Sequence, residues 1–135
     1  AKFNAKKQLI IDQFHAFVAI DSLQVNAEMT QGENIADLGG LTMSYNAYIN
    51  SLKGKPSKVM DGFTGEQRFF FFFFKAWKSV CRDSELKRLL TIDYHSPAYF
   101  RSFAPLVNLP SFYKAFNVKE GDKMFTPEIK RVEIW

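Results

Sequence analysis

Apolar residues at Phe3, Leu9, Ile10, Phe14, Phe17 and Val18 recur at the spacing of one helix face, so the chain is predicted to open with an amphipathic helix ending before Asp21-Ser22. Val25 to Thr30 reads as a short polar connection. A second helix is predicted from about Glu33 to Leu52, interrupted only by Gly39-Gly40. Each glycine inside a helix costs roughly 1 kcal/mol relative to Ala, so a pair calls for a packing reason such as the close approach of another helix. Lys53 to Met60, with Gly54 and Pro56, reads as a basic loop. Thr64 is placed to cap a third helix with Glu66-Gln67 in its first turn, running through six consecutive phenylalanines, Phe69 to Phe74, and Trp77 to about Cys81. A short helix follows around Glu85 to Leu90. Ser96 as cap and Pro97 at the first helical position start another, with His95 just outside it and Arg101 in its second turn. Pro110 to Phe116 is the last predicted helix, and Gly121 onward reads as an irregular tail. The pattern is mostly α, without an internal repeat or a flexible linker.

Composition adds bounds. With 135 residues and 47% apolar content the chain can bury one core, and no apolar run is long enough to span a membrane. Fifteen Phe within a 16% aromatic share imply either an aromatic core or a surface that packs against something else. The net charge of +4 is scattered, as at Lys6-Lys7, Lys53 to Lys58 and Lys130-Arg131. It forms no basic stripe with interleaved aromatics, so nucleic acid is not an expected partner. Cys81 stands alone, which excludes an internal disulfide and a Cys-rich metal site.

The candidate chemistry begins at Glu33 and Asp37. Four residues apart on a helix, they share one face. Two carboxylates on a buried face need a cation or a strong donor between them. Taken singly, Glu33 also reads as an exposed first-turn Glu favoured by the helix dipole, and Asp37 as its surface neighbour. His95 alone could be a core or surface histidine, and Arg101 a solvated helix charge.

The string Gly32 to Leu41, GENIADLGGL, resembles the signature of the neprilysin and endothelin-converting-enzyme family of zinc endopeptidases. His95-Ser96-Pro97-Ala98-Tyr99-Phe100-Arg101 is similar to the family's HSPxxFR segment, with Ala98 where relatives usually have Gly. Pro127 to Trp135 is similar to its basic, Trp-terminated end. The likeness runs in order along essentially the whole chain. It implies the C-terminal helical portion of a thermolysin-like zinc peptidase catalytic domain. By position, Glu33 is then the third protein ligand of a catalytic zinc and Asp37 the carboxylate that holds a zinc-bound His. His95 is the donor to the oxyanion, Arg101 the fork on substrate backbone carbonyls, and Trp77, with Ala76, the wall of a hydrophobic primed-side pocket. In the Phe run, Phe69, Phe70 and Phe73 fit the family pattern, whereas Phe71, Phe72 and Phe74 depart from it. At Phe74 the family prefers a small side chain, so overpacking is expected there.

No His-Glu-x-x-His occurs, and the histidines are His15, read as structural, and His95. The resemblance therefore implies a partner, an upstream peptidase polypeptide that carries the two His ligands and the general-base Glu. It implies an extracytoplasmic protein that cleaves oligopeptides on the amino side of hydrophobic residues. The absence of a terminal Cys in Arg131 to Trp135 points to a bacterial, oligopeptidase-O-like member. The rival expectation is a non-catalytic helical interaction module that kept the motifs.

Overall fold

The computed structural model describes residues 2–134. Six helices dominate: α1 Lys2–His15, α2 Ala27–Ser51, α3 Gly65–Ala76, α4 Asp83–Ile92, α5 Ala98–Phe103 and α6 Pro110–Phe116. Single 3-10 turns lie at Leu106–Asn108 and Glu128–Lys130. The mostly α expectation holds. The Trp-terminated end falls on Trp135, outside the described residues.

Helix α1 buries Ile10, Ile11 and Phe14 but stops at His15, short of the Val18 predicted. The chain then forms an antiparallel hairpin, β1 Val18–Ile20 with β2 Leu23–Gln24, in which Val18 faces Gln24 and Ile20 faces Leu23. Asp21 turns it at a φ of 53°, in the left-handed region that Asp tolerates better than most residues. Phe17 and Val18 happen to extend the helical period of α1, and so disguised the start of a strand only three residues long.

Helix α2 begins six residues before Glu33. Asn26 is its cap, its side chain accepting the Met29 amide at 3.1 Å, so Val25 to Thr30 is cap and first turn, not a connection. Glu33 consequently sits in the second turn, beyond the reach of the dipole that a first-turn Glu would feel. Gly39 is buried. A Cβ on Gly40 would meet nothing within 4 Å among the described residues, so the close helix approach expected for the glycine pair is not made there.

Thr64 caps α3 as predicted, in a reciprocal box. Its hydroxyl accepts the Gln67 amide at 3.2 Å while the Gln67 side chain accepts the Thr64 amide at 3.0 Å. The helix ends at Ala76, five residues before Cys81. Phe70 is buried and Phe69 and Phe73 pack against the core, whereas Phe71, Phe72 and Phe74 point outward. The three positions that fit the family pattern are the inward ones, and Phe74, being exposed, overpacks nothing in this chain. Helix α4 is longer than predicted and has no buried residue; Lys87 ties it to the hairpin through Asp21 at 2.7 Å. Ahead of α5 the cap position is Pro97, not Ser96, because the Ser96 side chain turns inward to α2.

The core joins α1, α2, α3, α5 and α6 around Ile10, Phe14, Leu38, Phe70, Phe100 and Phe112. Its aromatic content is real: Phe17 stacks on Phe100, Tyr45 stacks on Phe70, and Phe70 meets Phe112 edge-on. The tail is irregular yet fixed. The Tyr113 hydroxyl donates to the Val107 carbonyl at 2.8 Å and accepts the Thr126 amide at 2.9 Å, and Arg131 lies 3.6 Å above its ring. Asn108, buried, exchanges hydrogen bonds with Gln13 of α1 and accepts the Val132 amide at 2.9 Å.

Candidate metallopeptidase site

Glu33 and Asp37 project one turn apart from α2 and meet residues delivered by the other end of the chain. The segment entering α5 brings His95, and α5 itself brings Arg101. Arg101 donates from Nε to Asp37 Oδ2 at 2.7 Å and from Nη2 to Asp37 Oδ1 at 2.8 Å, a planar two-bond fork. Both side chains are only 12% exposed. The indole of Trp77, the residue that closes α3, lies 4.1 Å from the Arg101 guanidinium, so the cation is held edge-on by a carboxylate and face-on by a ring.

Glu33 is differently placed. Its Oε2 is 3.5 Å from His95 Nε2 and 3.9 Å from Arg101 Nη2, both beyond good hydrogen-bond length, and its side chain is 45% exposed. It lies near the His95 ring and the Arg101 guanidinium but is committed to neither, and keeps lone pairs free for another partner. A carboxylate of this kind fits a metal ligand. Among the described residues no group of three or more His, Cys, Asp or Glu could by itself hold a metal ion.

His95 is fixed by a residue that sequence reasoning missed. Asp93 Oδ1 accepts both the His95 backbone amide at 2.9 Å and, at 2.8 Å, a proton on Nδ1. Those contacts, the backbone bond foremost and the ring bond next, hold the Asp93 carboxyl below the usual carboxylate range. An ionised carboxylate only accepts, so the Nδ1 proton stays on the ring and Nε2 is the nitrogen turned toward Glu33. The available signal was the Asp-x-His spacing, which suits a side chain that bonds the backbone two residues on.

Trp77, Leu86, Leu89, Leu90, Asp93, His95 and Arg101 are among the residues lining a cavity of about 360 Å³. The apolar face of α4 thus looks into the site. Ala76 is exposed at the last turn of α3 and is not among the lining residues, so the structure brings Trp77 to the cluster without it. His15 ends α1 on the surface, 3.8 Å from Glu28. No helix of the described residues is long and apolar enough to cross a membrane.

The sequence profile described as Peptidase family M13 matches residues 1–132. An endothelin-converting enzyme homolog of Locusta migratoria is 35% identical over 98% of this chain, which covers 18% of that protein. A neutral endopeptidase of Lactococcus lactis subsp. cremoris is 33% identical over 98% of the chain and 20% of its own length. Among solved structures, the zinc metalloprotease Zmp1 of Mycobacterium tuberculosis in complex with an inhibitor superimposes with a TM-score of 0.96 and 40% identity, over 99% of this chain and 21% of that one. The chain spans about a fifth of the length of these relatives. By profile, by sequence and by fold, it belongs to peptidase family M13, the family of neprilysin and endothelin-converting enzyme.

Proposed function

We propose that the chain is the C-terminal part of a thermolysin-like catalytic domain and serves a zinc-dependent endopeptidase that cleaves oligopeptides on the amino side of hydrophobic residues. An upstream polypeptide bearing His-Glu-x-x-His completes it. The observation that carries this reading is the clustering of Glu33, Asp37, His95, Arg101 and Trp77 by direct contact, from segments far apart in sequence, with His95, Arg101 and Trp77 also lining one cavity. Zinc, when bound, acts as a Lewis acid and lowers the pKa of its water to about 7.

Each residue then has a task its surroundings suit. Glu33, with free lone pairs, is the ligand this chain contributes. Asp37 spends one lone pair of each oxygen on Arg101 and keeps others to accept the far N–H of a ligand imidazole, which fixes that ring's tautomer and direction. His95 presents Nε2 to the site and, when protonated, donates to the carbonyl oxygen of the scissile peptide as negative charge develops there. Asp93 behind it balances the imidazolium. Arg101 uses two of its five N–H groups on Asp37 and has three left to donate to substrate backbone carbonyls. Trp77 gives the pocket an apolar wall. The family points to an extracytoplasmic location, and the Lactococcus and Mycobacterium relatives to a bacterial source.

The test is to combine the chain with a His-Glu-x-x-His polypeptide of the family and measure hydrolysis of a short peptide. Activity that a chelator abolishes and zinc restores is expected, with cleavage before Phe or Leu. A complex that binds peptides but stays inactive with zinc loaded would overturn the proposal in favour of a non-catalytic module.

A further inference from the structure

Thr30, Asn34 and Ser96 form a polar cluster inside an otherwise apolar interface between α2 and the segment that leads into α5. Each is nearly sealed from solvent, at 3%, 1% and 3% exposure. Ser96 Oγ lies 2.8 Å from Asn34 Oδ1 and 3.0 Å from Thr30 Oγ1, and Asn34 Nδ2 donates to Thr30 Oγ1 at 3.1 Å. The protons can be assigned. Thr30 gives its own to the Asn26 carbonyl at 3.0 Å, so its oxygen only accepts within the cluster, and the single Ser96 proton goes chiefly to the closer Asn34 oxygen. Together with the Asn26 carbonyl the members satisfy one another, and no buried side-chain nitrogen or oxygen among the described residues lacks a partner.

The placement of this cluster is its meaning. Asn34 follows Glu33 directly and Ser96 follows His95 directly, so the two buried partners are the chain neighbours of the two groups that reach into the site. Glu33 and His95 themselves are 45% and 50% exposed and 3.5 Å apart, beyond good hydrogen-bond length, so their mutual contact does not set their separation. We propose that Thr30, Asn34 and Ser96 are positioning residues that lock the register between α2 and the His95 segment. They thereby set where the His95 imidazole meets the substrate carbonyl relative to the metal ligand Glu33. In the observed register all these bonds are made, and a slip of either segment would strand polar groups in an apolar interior. This rests on the roles proposed above for His95 and Glu33.

The test uses the peptidase assembled with the upstream polypeptide. Ser96→Ala is expected to lower kcat by about 10–100-fold, the effect of a displacement of around 1 Å at a catalytic group, while KM and zinc content hold. Thr30→Val, equal in shape but lacking the hydroxyl, should do the same, and Thr30→Ser should restore kcat to within about threefold of the parent. In a His95→Ala background Ser96→Ala should change kcat by less than about twofold, because there is no imidazole left to place. Additive losses in that double variant would mean the cluster serves the fold at large and would overturn the proposal. So would an active parent whose Ser96→Ala and Thr30→Val forms keep kcat. A parent without zinc-dependent activity would bring down the functional reading first, and this inference with it.

Discussion

Arg101 and Asp37 stand 64 residues apart in sequence and meet in a two-bond fork at 2.7 and 2.8 Å, with the Trp77 indole 4.1 Å from the guanidinium. Removing one member leaves a largely buried charge alone, which typically costs about 3–5 kcal/mol. Arg101→Met should therefore destabilise the chain by a few kcal/mol in urea denaturation, whereas the Arg101→Met, Asp37→Ala pair should lose less than the sum of the single losses. Additivity would show that the fork contributes nothing of its own.

Metal binding separates the two carboxylates. By itself the chain should bind zinc no tighter than about micromolar, since one carboxylate with one neighbouring His makes no closed site. In the assembled peptidase Glu33→Ala should lose the metal, and Asp37→Ala should weaken zinc affinity by about 10–100-fold. Mass spectrometry of the metal content decides it, and full occupancy in Glu33→Ala would refute the ligand assignment.

His95 and Arg101 should part in their kinetics. A donor that meets charge only in the transition state affects kcat, so His95→Ala should lose roughly 10²–10³ in kcat with little change in KM. Asp93→Asn should lose about 10-fold of the same constant, since the carboxylate behind the imidazolium is gone. Arg101→Met should mainly raise KM, and Arg101→Lys, keeping charge without the fork, should recover only part of the affinity. Steady-state rates on one short peptide for the four variants test this division.

Acid stability should report on Asp93 and Glu66. Both carboxyls are held below the usual range, Asp93 first by the His95 amide and Glu66 first by its own backbone amide and next by the Ser57 hydroxyl. A folded pKa below the unfolded one means that the stabilisation is complete above the ordinary carboxylate range and is lost as pH falls through the lower folded value. Melting temperature should drop as pH falls through and below that range, and Asp93→Asn with Glu66→Gln should flatten the slope. An unchanged slope in the double variant would exclude these two groups as its source.

Gly65 opens α3 where Ser57 folds over the helix start. A Cβ there would overlap the Tyr48 hydroxyl and come within 2.6 Å of Ser57 Cβ. Tyr48 could swing away but the Ser57 Cβ moves only with its backbone, so Gly65→Ala should cost about 1–3 kcal/mol by denaturant titration. A neutral result would mean that the 57–64 loop shifts freely.

What the sequence revealed follows the range over which its signals act. The Thr64 cap and the shared face of Glu33 and Asp37 are encoded within a few residues, and both were legible. So was the inward set of the Phe run, once the family pattern sorted Phe69, Phe70 and Phe73 from their neighbours. The hairpin was hidden because strands of three and two residues carry too little periodicity to compete with the helix before them. Ser96 looked like a cap because caps are local. Its actual partners, Thr30 and Asn34, lie 66 and 62 residues away, beyond the reach of any local rule. Asp93 could have been found from its spacing to His95, but only by asking what holds an exposed imidazole still.

Asn108 sets a schedule for biosynthesis. Its amide clasps Gln13 near the start of the chain and the Val132 backbone near the end, with sequence separations of 95 and 24 residues. As the polypeptide emerges from the ribosome, α1 can form early but must wait for residue 108 to find its polar partner, and residue 108 in turn waits for residue 132. Such non-local closure slows folding and leaves the Gln13 amide of α1 without its partner in the interval. The clasp is therefore complete only once Val132 has been made, and without that amide the buried Asn108 oxygen would keep Gln13 as its sole remaining donor.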